Sequence, residues 1–575
     1  MKILSVFGGF IAILVLSFFA VFSLTSSGYF PMHDDTQPSR VYQMQKSLSE
    51  GQFPVRWVGD LGYGYGYPIF NFYAPLPYYI GAVFSFFTVD VIFATKLMII
   101  VGMLLSGFAM YLLGAEVFGK YAGLTTAVAY VYAPYHAVDL YVRGDVSEFW
   151  AYAFVPLVFY SLWKIFHTQK RFFILLGSIS YAGLILSHNL SALMVSPFII
   201  VFLLVLSFLP RGVKKKIIVR KMIIAFVGGL ILSAFYWVPV FFEMQYTNVL
   251  SQLGGGADFR NHFACLSQLW NSPWGFGGSI PGCIDGLSFK IGKIHLLISV
   301  ISIFLSLLLI LRRMSDLAFV LNPKGILFLF SAISFLLSIF LMLDWSRPIW
   351  EYFPTMAFFQ YPWRFLFLVS FFSSLLIGFF VWLVGKSILE TFHSPQLIFG
   401  LFAISVTGLV FVSNYALFQP QTMQVKSPQD YTSESALKWN ISKISDEYLP
   451  RHFEKPREKN EVVSDVFIPS GGLSQITQGV NNTLYSSAGV QSKSTGDVLI
   501  RKAYFPAWNV FVDGQKKYVT ITSKGMMVRL EEGKHLVELK FVSTFIEKLS
   551  NGISLVGLLI FFVGIATVIR KPFYE

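Results

Sequence analysis

Two neighbouring carboxylates and an imidazole, in the order His33-Asp34-Asp35, follow the first long apolar segment of the chain. A carboxylate held beside a membrane can remove a proton from a hydroxyl group or ligate a metal ion. We therefore predict that Asp35 and Asp34 are catalytic carboxylates or metal ligands, and that His33 binds substrate beside them. A solvated loop whose charges have no function is the alternative interpretation.

The rest of this polar segment, residues 25–79, carries groups that suit a phosphorylated sugar. Arg56 can hold a phosphate through two parallel hydrogen bonds, and the rings of Trp57 and Tyr73 can stack on a sugar. Asp60 adds a further carboxylate. We predict that these four residues contribute to substrate binding in the working loop of the protein.

Further polar residues lie beside apolar segments or interrupt them: Arg143, Glu148, His188, Asn189 and Arg364. Such groups are costly in a membrane and commonly mark a substrate pathway. Arg143 and Arg364 are candidate phosphate ligands, although an ion pair between Arg143 and Glu148 and a snorkelling anchor at Arg364 are equally good explanations. His188 and Asn189 are candidate substrate-binding residues that could instead hydrogen-bond between helices.

The elements that must position these groups are membrane helices, because the composition leaves little polar surface. Of 575 residues, 55% are hydrophobic and 13% are charged, and the mean hydropathy is +0.62. These values exclude a soluble particle of this size and indicate a membrane protein with many spans. The formal net charge of +13 comes mainly from cations in short loops between apolar segments, which orient the chain in the membrane and do not indicate a nucleic-acid partner.

The first apolar segment of spanning length is residues 3–24, and the last is residues 553–568. At ~20 residues per crossing, the full set corresponds to about twelve crossings. The segments between them are residues 91–113, 121–134, 149–166, 172–209 (a hairpin), 222–242, 294–311, 326–343, 365–384 and 397–417. With this number of crossings, both termini and the loops rich in Lys and Arg lie in the cytoplasm. Residues 76–87 then lie in the membrane interface, and the polar segments described above lie on the outer face.

We divide the chain into a multi-span membrane domain of residues 1–419, an outer β-rich domain of residues 420–549, and a final span with a cytoplasmic tail at residues 550–575. Within the second part, residues 498–541 alternate apolar and polar side chains and predict a small antiparallel β-sandwich. Residues 427–495 have few apolar runs and are predicted to be partly irregular or helical.

Two cysteines, Cys265 and Cys283, lie in one of the predicted outer loops. Such loops face an oxidising compartment, in which neighbouring cysteines form disulfides. We predict a disulfide between them, with two unrelated thiols as the alternative.

Several short motifs resemble those of known bacterial membrane proteins. They are Asp34-Asp35, Pro54-Val55-Arg56-Trp57, Phe70-Asn71-Phe72-Tyr73, Arg143-Gly144 with Glu148, Ser187-His188-Asn189, Pro273-Trp274-Gly275 and Tyr361-Pro362-Trp363-Arg364. As a set they are similar to membrane proteins labelled pyruvoyl-tetrahydropterin-synthase-related, and the tail from Tyr504 to His535 is similar to that of YfhO-type membrane proteins. Both groups resemble the GT-C superfamily of multi-span glycosyltransferases, which take a sugar from a polyprenyl phosphate on the outer membrane face.

The resemblance implies a GT-C-like fold and an inverting transfer, in which Asp35 or Asp34 deprotonates the acceptor hydroxyl while cations hold the leaving phosphate. It also places Trp274 among the substrate-binding residues. Some GT-C members bind a divalent metal such as Mg²⁺ or Mn²⁺ through such acids and others bind none, so both possibilities stay open for Asp34 and Asp35.

The sequence therefore predicts a hexosyltransferase-type enzyme of the cell membrane, in contact with membrane lipids. Its donor is a polyprenyl-phosphate sugar, and its acceptor is a cell-envelope glycan, lipid or protein. A transporter or flippase of lipid-linked sugars is the first alternative, and paired broken helices in both halves of the chain would be typical of it. The second is an assembly protein without enzymatic activity on the same fold.

Overall fold

Long helices make up most of the chain, and a β-rich unit precedes the last of them. The computed structural model describes residues 2–88, 90–209, 215–312, 322–391, 395–470 and 474–569. The longer helices are α1 Lys2–Phe19, α2 Gln37–Ser49, α3 Leu76–Phe87, α4 Val91–Phe118, α5 Lys120–Val131, α6 Val146–Thr168, α7 Arg171–Ser187, α8 Asn189–Phe208, α9 Lys215–Leu232, α10 Ala234–Glu243, α11 Lys293–Arg312, α12 Pro323–Met342, α13 Leu366–Thr391, α14 Pro395–Asn414 and α15 Phe545–Ile569. Short helical turns include Ile69–Phe72, Pro134–Ala137, Val138–Arg143, Leu266–Trp270, Arg347–Tyr352, Pro362–Phe365 and Ala436–Ile441.

Helices occupy each of the segments that the sequence predicts to be spans. Within the described ranges, eight helices are long and apolar enough to cross a membrane, and α9 with α10 makes a ninth if this pair, bent by 66°, is one span. Residues 8–19 of α1, together with α3 and α7, are apolar but shorter than a typical span. The structure thus supports a multi-pass membrane protein, while the number twelve and the orientation of the termini stay predictions. Residues 570–575 of the predicted cytoplasmic tail lie outside the described residues.

The polar segments meet at one end of the helices. Tyr29, after α1, pairs with Gln424, after α14, in an isolated β-bridge. The backbone N–H of His33 donates to the Val142 carbonyl (3.0 Å), which joins the segment after α1 to the turn before α6. Segments that are far apart in the sequence therefore form one layer at this end.

Two antiparallel sheets lie between α14 and α15. Their strands are β1 Phe467–Pro469, β2 Ser474–Asn481, β3 Tyr485–Ser492, β4 Gly496–Ile500, β5 Trp508–Val512, β6 Gln515–Lys517, β7 Thr520–Thr522, β8 Gly525–Leu530 and β9 Gly533–Phe541. The first sheet has the order β1-β4-β8-β7, and the second has the order β2-β3-β9-β5-β6. Alternate residues are buried along β4 and β5, as the sequence pattern predicts for two-sided strands.

The first half of residues 427–495 has short helices and irregular backbone, and the second half contains β1, β2 and β3. The sequence pattern does not predict these strands, because their side chains are mostly polar. In β3, the fully buried apolar residues are Ala488 and Val490. β2 lies at the edge of its sheet and is held by its backbone pairing with β3. Such a strand does not need an apolar alternation of its own.

Candidate active site

A cavity of about 540 Å³ lies at the end of the helices where the polar segments meet, and this volume suits a small-molecule ligand. Its wall combines four carboxylates, three guanidinium groups and two imidazoles with several aromatic rings. The charged and titratable residues are His33, Asp34, Arg40, Arg143, Asp145, His188, Arg364, Asp446 and Glu447, and the rings include Tyr73, Tyr361, Trp363 and Tyr448.

Arg143 is the centre of an ion cluster in this wall. Its guanidinium group donates to Asp139, to Asp145 Oδ2 (2.8 Å) and to Glu148 Oε2 (2.8 Å). Arg364, which comes 216 positions after Glu148, donates to the same Glu148 oxygen (3.1 Å) and lies 3.7 Å from Asp145. Three carboxylates therefore share two guanidinium groups.

The turn before α6 brings these charges together. Gly144 has a φ of +67°, a conformation that L side chains rarely adopt, and a Cβ on it would come within 2.2 Å of Met32 Sδ. Asp145 then caps α6 by accepting a hydrogen bond from the Glu148 N–H (3.1 Å). Because Arg143, Asp145 and Glu148 flank this one turn, the local backbone already places their charges side by side.

The protonation of the ion cluster follows from its burial and its charges. Burial works to raise the pKa of Asp145, but Arg143, followed by His188 and Arg364, outweighs it and holds this pKa well below its usual value. Burial and then the nearby Glu148 raise the pKa of Asp139 well above its usual range in spite of Arg143. Burial and neighbouring charge therefore move the pKa values of Asp139 and Asp145 in opposite directions within one cluster.

Of the two predicted catalytic carboxylates, Asp34 lines the cavity and Asp35 does not. Asp34 is hydrogen-bonded to His33 Nδ1 (2.8 Å), a bond that raises the pKa of His33, and its backbone N–H donates to the Arg143 carbonyl (2.9 Å). Asp35 instead accepts a hydrogen bond from the Tyr431 hydroxyl (2.9 Å). Burial raises the pKa of Asp35, and this bond acts against the increase. The preference for Asp35 over Asp34 is corrected accordingly.

Arg56, predicted to hold a phosphate, is saturated by protein groups outside the cavity. It is buried, and its guanidinium group donates to Asn71 Oδ1 (2.6 Å), the Phe235 carbonyl (2.9 Å) and Asn551 Oδ1 (2.8 Å). The Glu547 carboxylate lies 3.8 Å away. These contacts join the segment after α1 to α10 and α15, so that the predicted substrate role is replaced by a structural one.

Three more predicted substrate-binding residues lie outside the cavity wall. Trp57 is fully buried and packs edge-to-face on Trp508 of β5, with 5.5 Å between the ring centroids. Asp60 accepts a hydrogen bond from Lys46 Nζ (2.7 Å). Trp274 is half-buried in the loop after α10. Trp57 and Asp60 thus contact groups of the protein itself, and the substrate-binding role of all three residues stays a prediction that their position outside the cavity does not support.

Tyr73, His188 and Asn189 do line the cavity together with Arg143 and Arg364. The Tyr73 hydroxyl lies 3.4 Å from an Asp145 oxygen. His188 lies at the break between α7 and α8, and its side chain caps α8 by accepting from the N–H three residues later. The polar interruption read from the sequence thus marks a helix break at the cavity.

Sequence reasoning did not select five charged residues of this site: Arg40, Asp139, Asp145, Asp446 and Glu447. Arg40, on α2, donates to Glu447 Oε1 (3.3 Å), which lies 407 positions later, so no local signal connects them. Asp139 and Asp145 lie close to Arg143 in the sequence, and the i, i+4 spacing of Asp139 and Arg143 was the signal that could have found them.

Asp145, Glu148 and His188 form the one group in the described part of the chain that could hold a metal ion, with ligand atoms within 4.8 Å of one another. The predicted metal ligands Asp34 and Asp35 do not belong to this group, and their role as metal ligands stays a prediction. Two carboxylates and an imidazole are suitable donors for a divalent cation such as Mn²⁺. Because both carboxylates already contact guanidinium groups, a cation competes with those contacts.

The family model described as "6-pyruvoyl-tetrahydropterin synthase related domain; membrane protein" matches residues 70–416, which is more than half of the chain. The matched region contains Arg143, Glu148, His188 and Arg364, whereas Asp34 precedes it.

An uncharacterized protein of Lactococcus lactis subsp. cremoris (strain MG1363) is 26% identical over 238 residues, which are 40% of this chain and 39% of the relative. The match thus spans about two fifths of that relative's length. An oligosaccharyltransferase of Archaeoglobus fulgidus, solved with a tethered acceptor peptide, has a TM-score of 0.47 and 13% identity over 80% of this chain and 60% of that chain. ArnT of Cupriavidus metallidurans, bound to undecaprenyl phosphate, has a TM-score of 0.37 and 12% identity over 76% of each chain. TM-scores below 0.5 do not establish a shared fold.

Proposed function

The chain belongs to the 6-pyruvoyl-tetrahydropterin synthase related family of membrane proteins, and on that premise we propose that it is a membrane glycosyltransferase. Its donor is a polyprenyl-phosphate sugar, and its acceptor is a hydroxyl group of a cell-envelope glycan, lipid or protein. The observation that carries this proposal is the convergence of Asp34, Arg143 and Arg364 on one cavity at the ends of candidate membrane helices. The sequence resemblance to GT-C enzymes supports the same function.

A polyprenyl-phosphate sugar needs a cation for its phosphate, aromatic surface for its sugar and access for its apolar tail. Arg364 suits the phosphate better than Arg143, because Arg364 contacts two carboxylates where Arg143 contacts three. The rings of Tyr73 and Trp363 in the same wall suit the sugar. Asn189 begins α8, a candidate span, so the cavity borders the region that an apolar tail occupies.

In the proposed reaction, Asp34 takes the proton of the acceptor hydroxyl as its oxygen forms a bond to the anomeric carbon of the sugar. The bond between that carbon and the phosphate oxygen breaks, and the lipid phosphate leaves with the electron pair. Arg364 and Arg143 stabilise the charge that develops on this phosphate. The hydrogen bond from His33 and the backbone contact with Arg143 hold the Asp34 carboxylate in place.

The residues that would hold a divalent cation are Asp145, Glu148 and His188. When bound there, such a cation would supply Lewis-acid stabilisation of the phosphate. The protein's own part is to keep Asp145 ionised, through Arg143, and to present the two carboxylates and the imidazole on one wall.

The transporter alternative has one observation in its favour, the 66° bend between α9 and α10. Transporters built from inverted repeats have broken helices in pairs. Among the described residues, α9 with α10 is the one pair that passes the criteria for a broken span. We therefore favour the transferase, and the assay below also measures transport.

The test is incubation of the purified protein, reconstituted in liposomes, with polyprenyl-phosphate hexoses and candidate acceptors. We expect donor consumption, and a decrease of about 10²–10⁴-fold in the Asp34→Asn variant, because a general base loses its function with its charge. Asp344→Asn is the matched control, since Asp344 is exposed and lies outside the cavity. Movement of intact donor across the bilayer, without its consumption, would overturn the proposal in favour of a flippase.

A further inference from the structure

A second cavity, of about 630 Å³, lies between α7, α9 and α15. It is at the opposite end of α7 from the candidate active site: Arg171, the first residue of α7, lines it, whereas His188, directly after α7, lines the first cavity. A helix of 17 residues is about 26 Å long, close to the hydrocarbon thickness of a bilayer. The second cavity is therefore at the other boundary of the membrane.

Cations and apolar side chains alternate in the wall of this second cavity. On α9, Lys216, Arg220 and Lys221 lie at helical spacing with two isoleucines at positions 217 and 224, so all of them share one face. The third wall is α15, which approaches α7 so closely that a Cβ on Gly564 would lie 2.8 Å from Leu175. The result is a basic pocket with an apolar floor between three helices.

In the part of the chain that the structure describes, no carboxylate pairs with the cations of this pocket. In the described residues, none of Arg171, Lys216, Arg220 and Lys221 forms an ion pair, whereas Lys164 pairs with Glu116 nearby (2.9 Å). Lys221 donates to the Gln169 carbonyl (2.5 Å) and so caps the end of α6. Arg171, Lys216 and Arg220 are exposed to the cavity and are available for an anion.

We propose that this pocket binds the phosphate headgroup of an anionic phospholipid, whose acyl chains lie on the apolar faces of α7, α9 and α15. Basic pockets between membrane helices recognise such headgroups. The isoleucine floor and the position at a membrane boundary favour a lipid over a free phosphate ion. In the most apolar stretch of α15, 11% of the residues are buried by the protein. Acyl chains can therefore reach the pocket from the bilayer.

The test uses the full-length protein in a zwitterionic detergent, with phosphatidylglycerol, phosphatidylcholine and inorganic phosphate as separate probes. We expect native mass spectrometry to show one bound phosphatidylglycerol. In titrations, Lys216→Gln combined with Arg220→Gln should weaken its binding by roughly 30-fold, because each cation contributes about a fivefold factor. Arg171→Gln alone, a milder change, should weaken it about fivefold.

The matched control is Lys120→Gln combined with Lys386→Gln, which removes the same charge from exposed positions outside the pocket and should change the affinity by less than about threefold. Thermal unfolding of each variant without lipid checks that it folds. Equal affinity for phosphatidylcholine, or an equal loss in both double variants, would overturn the proposal. Retention of inorganic phosphate without retention of lipid would replace it with a free-phosphate site.

Discussion

Replacing Arg364 by glutamine should lower the free energy of unfolding by about 3–5 kcal/mol, because the change removes one of the two guanidinium groups that Glu148 and Asp145 share in a buried site. The side chain of Arg364 is 10% exposed and donates to Glu148 Oε2 at 3.1 Å. The ion cluster joins the carboxylates of Asp139, Asp145 and Glu148 to two guanidinium groups. Loss of Arg364 leaves Arg143 as the one guanidinium group that contacts these three carboxylates.

Replacing Glu148 by glutamine should lower the free energy of unfolding less, by roughly 1–3 kcal/mol, the loss expected for weakened hydrogen bonds to charged groups. The difference arises because the neutral amide still accepts hydrogen bonds, and Arg143 and Arg364 keep Asp145 as a carboxylate partner. The double variant should be less destabilised than the sum of the single variants, with a coupling energy of about 1–3 kcal/mol between Arg364 and Glu148.

These free energies can be measured by titrating the protein in mixed micelles with sodium dodecyl sulfate and following tryptophan fluorescence. Arg347→Gln is the control, because Arg347 pairs with Asp344 at the surface, where both side chains are more than 40% exposed, and it should change stability by less than about 1 kcal/mol. If the two single variants add to within about 0.5 kcal/mol, or if Arg364→Gln is as mild as Arg347→Gln, the ion cluster is not formed as described.

Three further predictions concern the catalytic carboxylates, the metal group and the disulfide. Asp35→Asn should keep donor consumption within about tenfold of the unchanged protein, since Asp35 lies outside the cavity; a loss as large as that expected for Asp34→Asn would return the catalytic role to Asp35. His188→Ala should weaken Mn²⁺ binding, measured by calorimetry, by more than the 10–100-fold typical of losing an outer partner of a ligand, and an unchanged affinity would remove His188 from the metal group. The structure joins Cys265 to Cys283, 18 positions apart, so replacing both by serine should lower the free energy of unfolding by about 3 kcal/mol. Equal stability of that variant under oxidising conditions would contradict this expectation.

Charge beside an apolar segment was the most informative feature of the sequence. It selected Arg143, Glu148, His188 and Arg364, which the structure brings together at one cavity and its ion cluster. The reasoning succeeds here because a polar group at a membrane boundary must find a partner in the protein or bind a ligand. Residue type and position identify a group that needs a partner, but they do not say whether that partner is a ligand or another part of the protein.

The same reasoning failed for Arg56 and Trp57, whose types suit a sugar phosphate but whose partners are protein groups. Residue type cannot distinguish an arginine that is free to bind a ligand from one whose hydrogen bonds already go to protein groups. Arg56 donates a hydrogen bond to Asn551, 495 positions away, and no local pattern in the sequence predicts a contact over that distance. The strand β2 was missed for a related reason, since its pairing with β3 rather than its own side chains determines its structure.

The contact between Arg56 and Asn551 also has a consequence for how the protein is made. At the usual rate of synthesis of about 5–20 residues per second, a ribosome completes position 551 about 25–100 s after position 56. During that interval Arg56 lacks its partner from α15, whereas Trp508 of β5, which packs on Trp57, is synthesised about 2–9 s before position 551. The segment after α1 is therefore among the first to be synthesised, and its contact with α15 is among the last to form. A nascent chain that stalls before α15 already carries the charged residues of the cavity, yet it lacks the helix that Arg56 contacts.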